Sequence, residues 1–327
     1  MALRSQRLDS IKHRVLSLNG QLPENERLDA NEAMLFARQL ESIDAKLYEV
    51  KYPNLNWSEI VPTQDGISDG AETYTYQVVD MVGKAKLVAN FADDLPRADA
   101  SGREVSAKIK HLGASYAYSI QDMRRAKHSG VQIDEMRARA ARRAIAEFVD
   151  EAVMLGVRSE DGTVINTGFA NNASVSLTTV VTGNWATATG DQIVDDVLKM
   201  EREIITASKG VERPDTLALP PSRFALASTK RMGSSLNDVT ALDFILKKSV
   251  GIRKVVTNYR LETAGASSVP RIIAYSANVE AVAAIVPMEF NSLPPEARNL
   301  ALIVNCEGRC GGVAWRLPGS ARYMDGT

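Results

Sequence analysis

The chain has 327 residues, enough to bury a substantial core in one elaborate domain or in two to three small ones. Apolar residues make up 45% and charged residues 24%, with 39 basic side chains against 40 acidic; this is the composition of an ordinary soluble globular protein, without the basic excess of one that wraps nucleic acid. No stretch approaches the roughly 18 consecutive apolar residues that cross a bilayer, and the N-terminus lacks the apolar segment and cleavage site of a secretory signal, so the chain is expected to stay in the cytoplasm.

Residues 1 to about 28 are polar, punctuated by Gly20 and Pro23, and read as a loosely held arm. From Asp29 to Leu47 the apolar positions Met34, Leu35, Leu40, Ile43 and Leu47 fall near a helical period, with Asn31 as a cap; Pro53 and the loop around Trp57 and Pro62 end helical structure. Between Gly66 and Asp94 two alternating runs follow each other. Tyr74, Tyr76 and Val78 share one face and Thr73, Thr75 and Gln77 the other. After Asp80-Met81-Val82-Gly83 the alternation resumes, with Lys84, Lys86, Val88 and Asn90 on one side and Ala85, Leu87, Ala89 and Phe91 on the other. The two runs predict a long β-hairpin turning at 80–83. A two-stranded ribbon is marginal in water, so it needs its own domain or a neighbouring subunit to lie on.

Tyr116, Tyr118 and Ile120 alternate in a further strand, and Ser119-Ile120-Gln121-Asp122 resembles a capping box. From Val131 to about Val157 there is no Pro, and no Gly before Gly156. Ile133, Met136, Ala140, Ala141, Ala144, Ile145, Phe148, Ala152 and Leu155 form one apolar stripe, predicting a spine helix of about 37 Å at ~1.5 Å per residue. Residues 160–190, rich in Gly, Asn, Thr and Ser, read as an extended loop or a strand pair of low intrinsic stability. A helix carrying Ile193, Val194, Val197, Leu198, Ile204 and Ile205 leads to a strand at Thr216 to Leu219, and Pro220-Pro221 opens a helix through Ala227. A helix near Leu242 to Lys248, a strand at Lys254 to Thr257, and buried-looking runs at Ile272 to Tyr275 and Ala281 to Val286 follow. Strands at Leu300 to Asn305 and Gly312 to Arg316 close an α+β fold, joined by a turn that carries Cys306 and Cys310, which could pair in an oxidising setting and are expected as two free thiols in a reducing cytoplasm.

Motifs that carry chemistry are absent from this pattern. His13, His111 and His128 stand at no metal-ligand spacing, and no phosphate loop, dinucleotide fingerprint, nucleophile elbow or zinc-protease helix occurs. Cys310-Gly311-Gly312 reads as a turn or bulge. The neighbours Asp93-Asp94 and Asp195-Asp196 point apart on any regular element and read as solvated charges. Arg137, Arg139, Arg142 and Arg143 form the one local basic cluster. Of these Arg139, Arg142 and Arg143 lie away from the apolar stripe, where they either pair with Glu135, Glu147 and Asp150 or meet DNA. No catalytic, cofactor or metal residue is expected.

In its segments LYEVKYPNLNWSEIVP, GAETYTYQVVDMVGKAKL and SYAYSIQDMRRA, and in its order of elements, the chain resembles the tailed-phage major capsid proteins, whose fold encapsulin nanocompartments share. The likeness covers nearly the whole chain. It implies an N-terminal arm over residues 1–48, an extended hairpin loop over 66–94, a peripheral domain with the spine helix over 49–65, 95–190 and 291–327, and an axial domain over 191–290. It implies a structural protein without enzymatic activity or cofactor, assembling as a homo-oligomer of pentamers and hexamers into an icosahedral shell. That shell would enclose double-stranded DNA non-specifically, form in the host cytoplasm and remain as the virion capsid. Scaffold, portal and decoration proteins would be further partners, and a membrane would not. Glu72, Tyr74, Tyr76, Lys84 and Lys86 would then be inter-subunit contacts of the hairpin, and Arg139, Arg142 and Arg143 DNA-facing residues. The Lys–Asn cross-link of some relatives is not carried over, because no Asn partner or catalytic Glu is identifiable. Two other readings are an encapsulin-type compartment, whose members usually begin with a cargo-binding helix and not a polar arm, and an α+β enzyme without recognisable motifs.

Overall fold

The computed structural model describes residues 51–84, 86, 97–129, 133–159, 161–180, 183–233 and 239–326. The chain divides into two units, Met1–Tyr52 and Pro53–Thr327. Of the first, only Lys51 and Tyr52 are described, so the predicted arm and the helix over Asp29 to Leu47 lie outside the described residues.

The second unit opens with a one-turn helix, α1 (Trp57–Ile60), inside the segment read as loop, then three ten-residue strands, β1 (Thr73–Val82), β2 (Asp99–Lys108) and β3 (Lys110–Ser119). Helices α2 (Ile120–Ser129) and α3 (Ile133–Leu155) follow, then short strands β4 (Val157–Arg158), β5 (Val164–Asn166) and β6 (Ser176–Thr178). Next come α4 (Gly190–Ala207), β7 (Thr216–Leu219), α5 (Pro221–Thr229), α6 (Ala241–Lys248), β8 (Lys254–Thr257), β9 (Arg271–Tyr275) and β10 (Val282–Ala284). Strands β11 (Met288–Ser292), β12 (Glu296–Arg298), β13 (Ala301–Cys310), β14 (Val313–Trp315) and β15 (Arg322–Asp325) complete the chain.

One layer is a sheet built on β13, which pairs antiparallel with β3 over its whole length, from Ala301↔Ser119 to Cys310↔Lys110, with β11 and β12 along its other edge. The predicted cysteine-bearing turn is therefore corrected. Glu307-Gly308-Arg309 looks like a turn in composition, yet it alternates as a strand does, with Val304, Cys306, Gly308 and Cys310 buried. Gly308 is small because a Cβ there would come 3.0 Å from Ile145 Cγ2. The strand ends only at Cys310, and Gly311-Gly312, where Gly312 has φ +77, separates it from β14, which pairs with β10. The two thiols are free, and four residues apart on one strand they stand about 13 Å from each other at ~3.3 Å per residue, beyond disulfide reach. Burial pushes the Cys310 thiol up to about 11. Neither cysteine should react with a thiol reagent in the native protein at pH 8, and both should titrate once it is unfolded.

Helix α3 packs on that sheet. Ala141, Ile145, Val149 and Ala152 form its buried line, widened near the C-terminus by Val153 and Met154. The predicted stripe was turned too far: Met136 and Phe148 are 40% and 43% exposed, and Ala140 and Ala144 are also exposed. The widening has a local cause in the segment read as a loose loop. Phe169 N and Ala170 N donate to the carbonyls of Val153 (2.8 Å) and Met154 (2.9 Å), and Asn171 Nδ2 donates to that of Leu155 (2.5 Å), satisfying the last turn of the helix. This crossing needs Gly156 at φ +88 and Gly168, whose added Cβ would lie 2.3 Å from Gly156 N. Phe169 then stacks on Trp315 with centroids 5.5 Å apart and meets Tyr275 edge-on at 4.8 Å, so polar composition concealed a core segment.

The other layer is a five-stranded mixed sheet in the order β6-β15-β9-β7-β8. Leu217, Leu219, Ile272, Ala274 and Met324 face α4, α5 and α6, while Ala218, Ile273, Tyr275 and Tyr323 face the spine layer. Burial on both faces explains why these strands appear in the sequence as continuous apolar runs. Thr189 and Gln192 form a capping box at the start of α4, and Pro221 occupies the first turn of α5. Strands β6 and β15 come from outside residues 191–290, yet they complete this sheet. Asp196 is buried and accepts a hydrogen bond from Trp185 Nε1 at 3.1 Å, which corrects its reading as a solvated charge; Asp195 is exposed.

Arg260, on the turn Tyr259–Glu262, joins the layers. Its Nε lies 2.5 Å from Asp150 Oδ2, Nη1 lies 3.1 Å from Glu151 Oε2, and Nη2 donates to the Glu147 carbonyl at 3.0 Å. Asp150 thus pairs across the core with Arg260 and not with the arginines of its own helix, as the helical spacing had suggested. Burial lifts its carboxyl above the usual carboxylate range although Arg260 opposes that shift.

Candidate assembly surfaces

Strands β1 and β2 pair in unbroken antiparallel register from Thr73↔Lys108 to Val82↔Asp99, a ribbon about 33 Å long at ~3.3 Å per residue. The predicted turn at 80–83 is corrected. β1 runs on to Val82, and its partner is the polar stretch 99–108; Lys84 and Lys86 are exposed and belong to no strand, and the rest of the predicted second run, at 85 and 87–91, lies outside the described residues, as do 92–96. Alternation alone does not specify which run pairs with which, and 84–91 alternates as well as the true partner does.

The two faces of the ribbon differ. Tyr74, Tyr76 and Val78 are half-buried and turned toward the chain's own body. Tyr76 Oη donates to the Trp315 carbonyl at 3.0 Å, and Arg316 Nη2 donates to Tyr74 Oη at 2.7 Å and to Gln64 Oε1 at 2.6 Å. The Arg316 guanidinium also lies 5.7 Å from the Tyr76 ring centroid, and burial raises the Tyr76 pKa. Both tyrosines predicted as inter-subunit contacts are therefore anchors of the ribbon's base. The opposite face, Thr73, Thr75, Gln77, Val79 and Met81 with their partners on β2, is exposed throughout, and Glu72 is exposed beside it. Val79 is 58% and Met81 83% exposed, two apolar side chains adjacent on one face of a ribbon. Replacing Arg316 with Ala should speed amide exchange across β1 by roughly ten- to hundredfold, the loss of about 1.5–3 kcal/mol of charged hydrogen bonding. Unchanged exchange would show that the base is held without it.

On the outer side of α3, Arg139 pairs with Glu135 at 3.7 Å, while Arg143 pairs with Glu147 at 2.9 Å and donates to the Pro53 carbonyl at 3.1 Å. Arg142 is exposed, with its guanidinium 5.7 Å from the Phe290 ring centroid. Sequence spacing thus identified two of the three predicted pairs with carboxylates and missed only Asp150. His111 meets Glu307 at 3.0 Å on the sheet, and this hydrogen bond, with a second that Asn291 Nδ2 donates to the same carboxylate at 2.8 Å, holds the carboxyl below its usual range. Among the described residues, no cluster of His, Cys, Asp and Glu is placed to hold a metal ion, and no helix is long and apolar enough to cross a membrane.

A spine helix on a long-stranded sheet, a helix-bearing mixed sheet and a ribbon open on one face are the parts that the resemblance to tailed-phage major capsid proteins implies. The capsid of Myoviridae phage XM1 matches it with a TM-score of 0.81 over 91% of this chain and 100% of its own, at 17% identity. A structure from Mycobacterium phage Ogopogo matches with a TM-score of 0.61, 11% identity and 90% and 99% coverage. The virus-like particle from Pyrococcus furiosus matches at 0.51, with 10% identity and 83% and 95% coverage. A comparison with curated protein sequences finds no match. The family described as Major capsid protein matches residues 83–327, and the chain belongs to that family. It is a structural protein of the virion capsid.

Proposed function

We propose that copies of this chain assemble through pentamers and hexamers into an icosahedral shell that encloses phage double-stranded DNA, and that each ribbon lies across a neighbouring copy. The observation that carries this reading is the ribbon itself: its inner face is tied to its own subunit by Tyr74, Tyr76 and Arg316, while its outer face ends in exposed Val79 and Met81. Burying two such side chains contributes about 1.5–3 kcal/mol each. Repeated around a shell, contacts of that size become collectively stable through multivalency. Glu72, Lys84 and Lys86 are exposed and serve as polar contacts of the same interface. The spine layer acts as the peripheral domain and the five-stranded layer as the axial one, with 176–178 and 322–325 joined to it. Assembly takes place in the host cytoplasm, with scaffold, portal and decoration proteins as further partners.

The expressed, purified protein should form closed particles or capsomers in negative-stain micrographs. A monomer that fails to associate at every salt and protein concentration tried would overturn the proposal.

A further inference from the structure

Charge is unevenly spread along this chain. Its formal net charge is −1, yet residues 120–143 hold seven cationic side chains against three acidic ones. Residues 120–129 form α2 and 133–143 the first half of α3, and Arg137 ties the two helices together by pairing with Asp122 at 3.3 Å, while donating to the Ala117 carbonyl at 2.6 Å. Arg137, Arg139 and Arg143 are therefore largely answered within the subunit, and Arg125 lies 3.9 Å from Asp122. Three cations are not. Among the described residues, Arg124 and Lys127, three residues apart on one side of α2, and Arg142, which rests on the Phe290 ring, are exposed and meet no carboxylate.

From this we propose that the outward side of α2 and of the first half of α3 binds the phosphate backbone of duplex DNA without regard to sequence, through Arg124, Lys127 and Arg142. The inference rests on the reading that the shell encloses DNA, and it names the surface that meets it. A protein partner is the poorer fit. Interface centres are apolar and depleted of Lys, and Met136 is the one large exposed apolar side chain on these residues among those described. Duplex DNA presents one negative charge per ~1.7 Å and needs no apolar centre. An arginine held on an aromatic ring keeps its donors free for a phosphate.

The test uses the full chain as unassembled capsomers and a labelled random-sequence duplex of about thirty base pairs, with anisotropy read at stepped salt. A triple variant, Arg124→Gln, Lys127→Gln and Arg142→Gln, should bind at least tenfold more weakly at low salt. Its log K against log salt slope should fall by about 2 to 3, at ~0.9 per phosphate contact. Its shells should look like those of the parent chain. Unchanged affinity and slope in the triple variant would overturn the proposal. So would loss of assembly with DNA binding intact, which would make this face a contact between copies, or tighter binding of poly-glutamate than of the duplex at matched charge, which would assign it to an acidic polypeptide. Failure of the parent chain to form shells would instead strike the assembly reading, whatever its affinity for DNA.

Discussion

Replacing residues 79–102 with Asn-Gly should give a subunit that folds normally and forms no closed shell at any concentration at which the full chain assembles. Val78 stands opposite Arg103 in the ribbon, so a two-residue turn can close the shortened hairpin there. The anchors Tyr74, Tyr76 and Arg316 all remain, and the lost portion includes Val79 and Met81. Removing residues 72–90 would be a poorer experiment, because it deletes both tyrosines and leaves β2 without its partner. Circular dichroism and the thermal midpoint should stay close to those of the parent, while sedimentation and micrographs show free subunits or capsomers only. Shells of normal yield from the truncated chain would refute the role assigned to the ribbon.

Arg260→Ala should destabilise the subunit by about 3–5 kcal/mol, because it strands the buried Asp150 carboxylate without its partner. The measurement is the denaturant midpoint at unchanged m-value. Burial already lifts the Asp150 pKa, and loss of the guanidinium lifts it further. A folded pKa above the unfolded one favours the folded state at low pH, an advantage lost as pH rises through the folded value. The penalty in the variant should accordingly be largest at neutral pH and shrink in acid. Arg260→Met combined with Asp150→Leu should recover most of the loss, since neither charge is then left alone. A cost below about 1 kcal/mol for Arg260→Ala would mean that the pair does not join the layers.

Local signals were the most readable part of this chain. Strands 216–219 and 254–257 lie where the apolar runs placed them, α5 begins at the second proline of Pro220-Pro221, and the spine, expected to run to about Val157, ends at Leu155 just before Gly156. Each follows from the few residues around it. The outer charges of α3 were legible for the same reason, since residues four apart on a helix are neighbours whatever else the chain does. The misreadings of strand pairing and of which face meets what are long-range. Residues 84–91 alternate as a strand should, but β1 pairs with 99–108, a choice that depends on two distant runs being brought together. Glu307-Gly308-Arg309 has the composition of a turn, and becomes strand because β3 lies along it for ten residues. The candidate contacts divide in the same way: period 2 put Tyr74 and Tyr76 on one face, but whether that face meets its own body or another copy depends on Trp315 and Arg316, some 240 positions away.

Periodicity, caps and glycine punctuation therefore determined by themselves the helices from 133 onward and several of the strands between them, because those depend on contacts within one or two turns of the backbone. Only the tertiary structure decided strand partners, which side of the ribbon remains open, and which carboxylates lie buried. Asp150 and Asp196 are short acidic side chains like any on the surface until Arg260 and Trp185, supplied by other elements, close over them. Burial and pairing are properties of where distant segments meet, and no local pattern encodes that meeting.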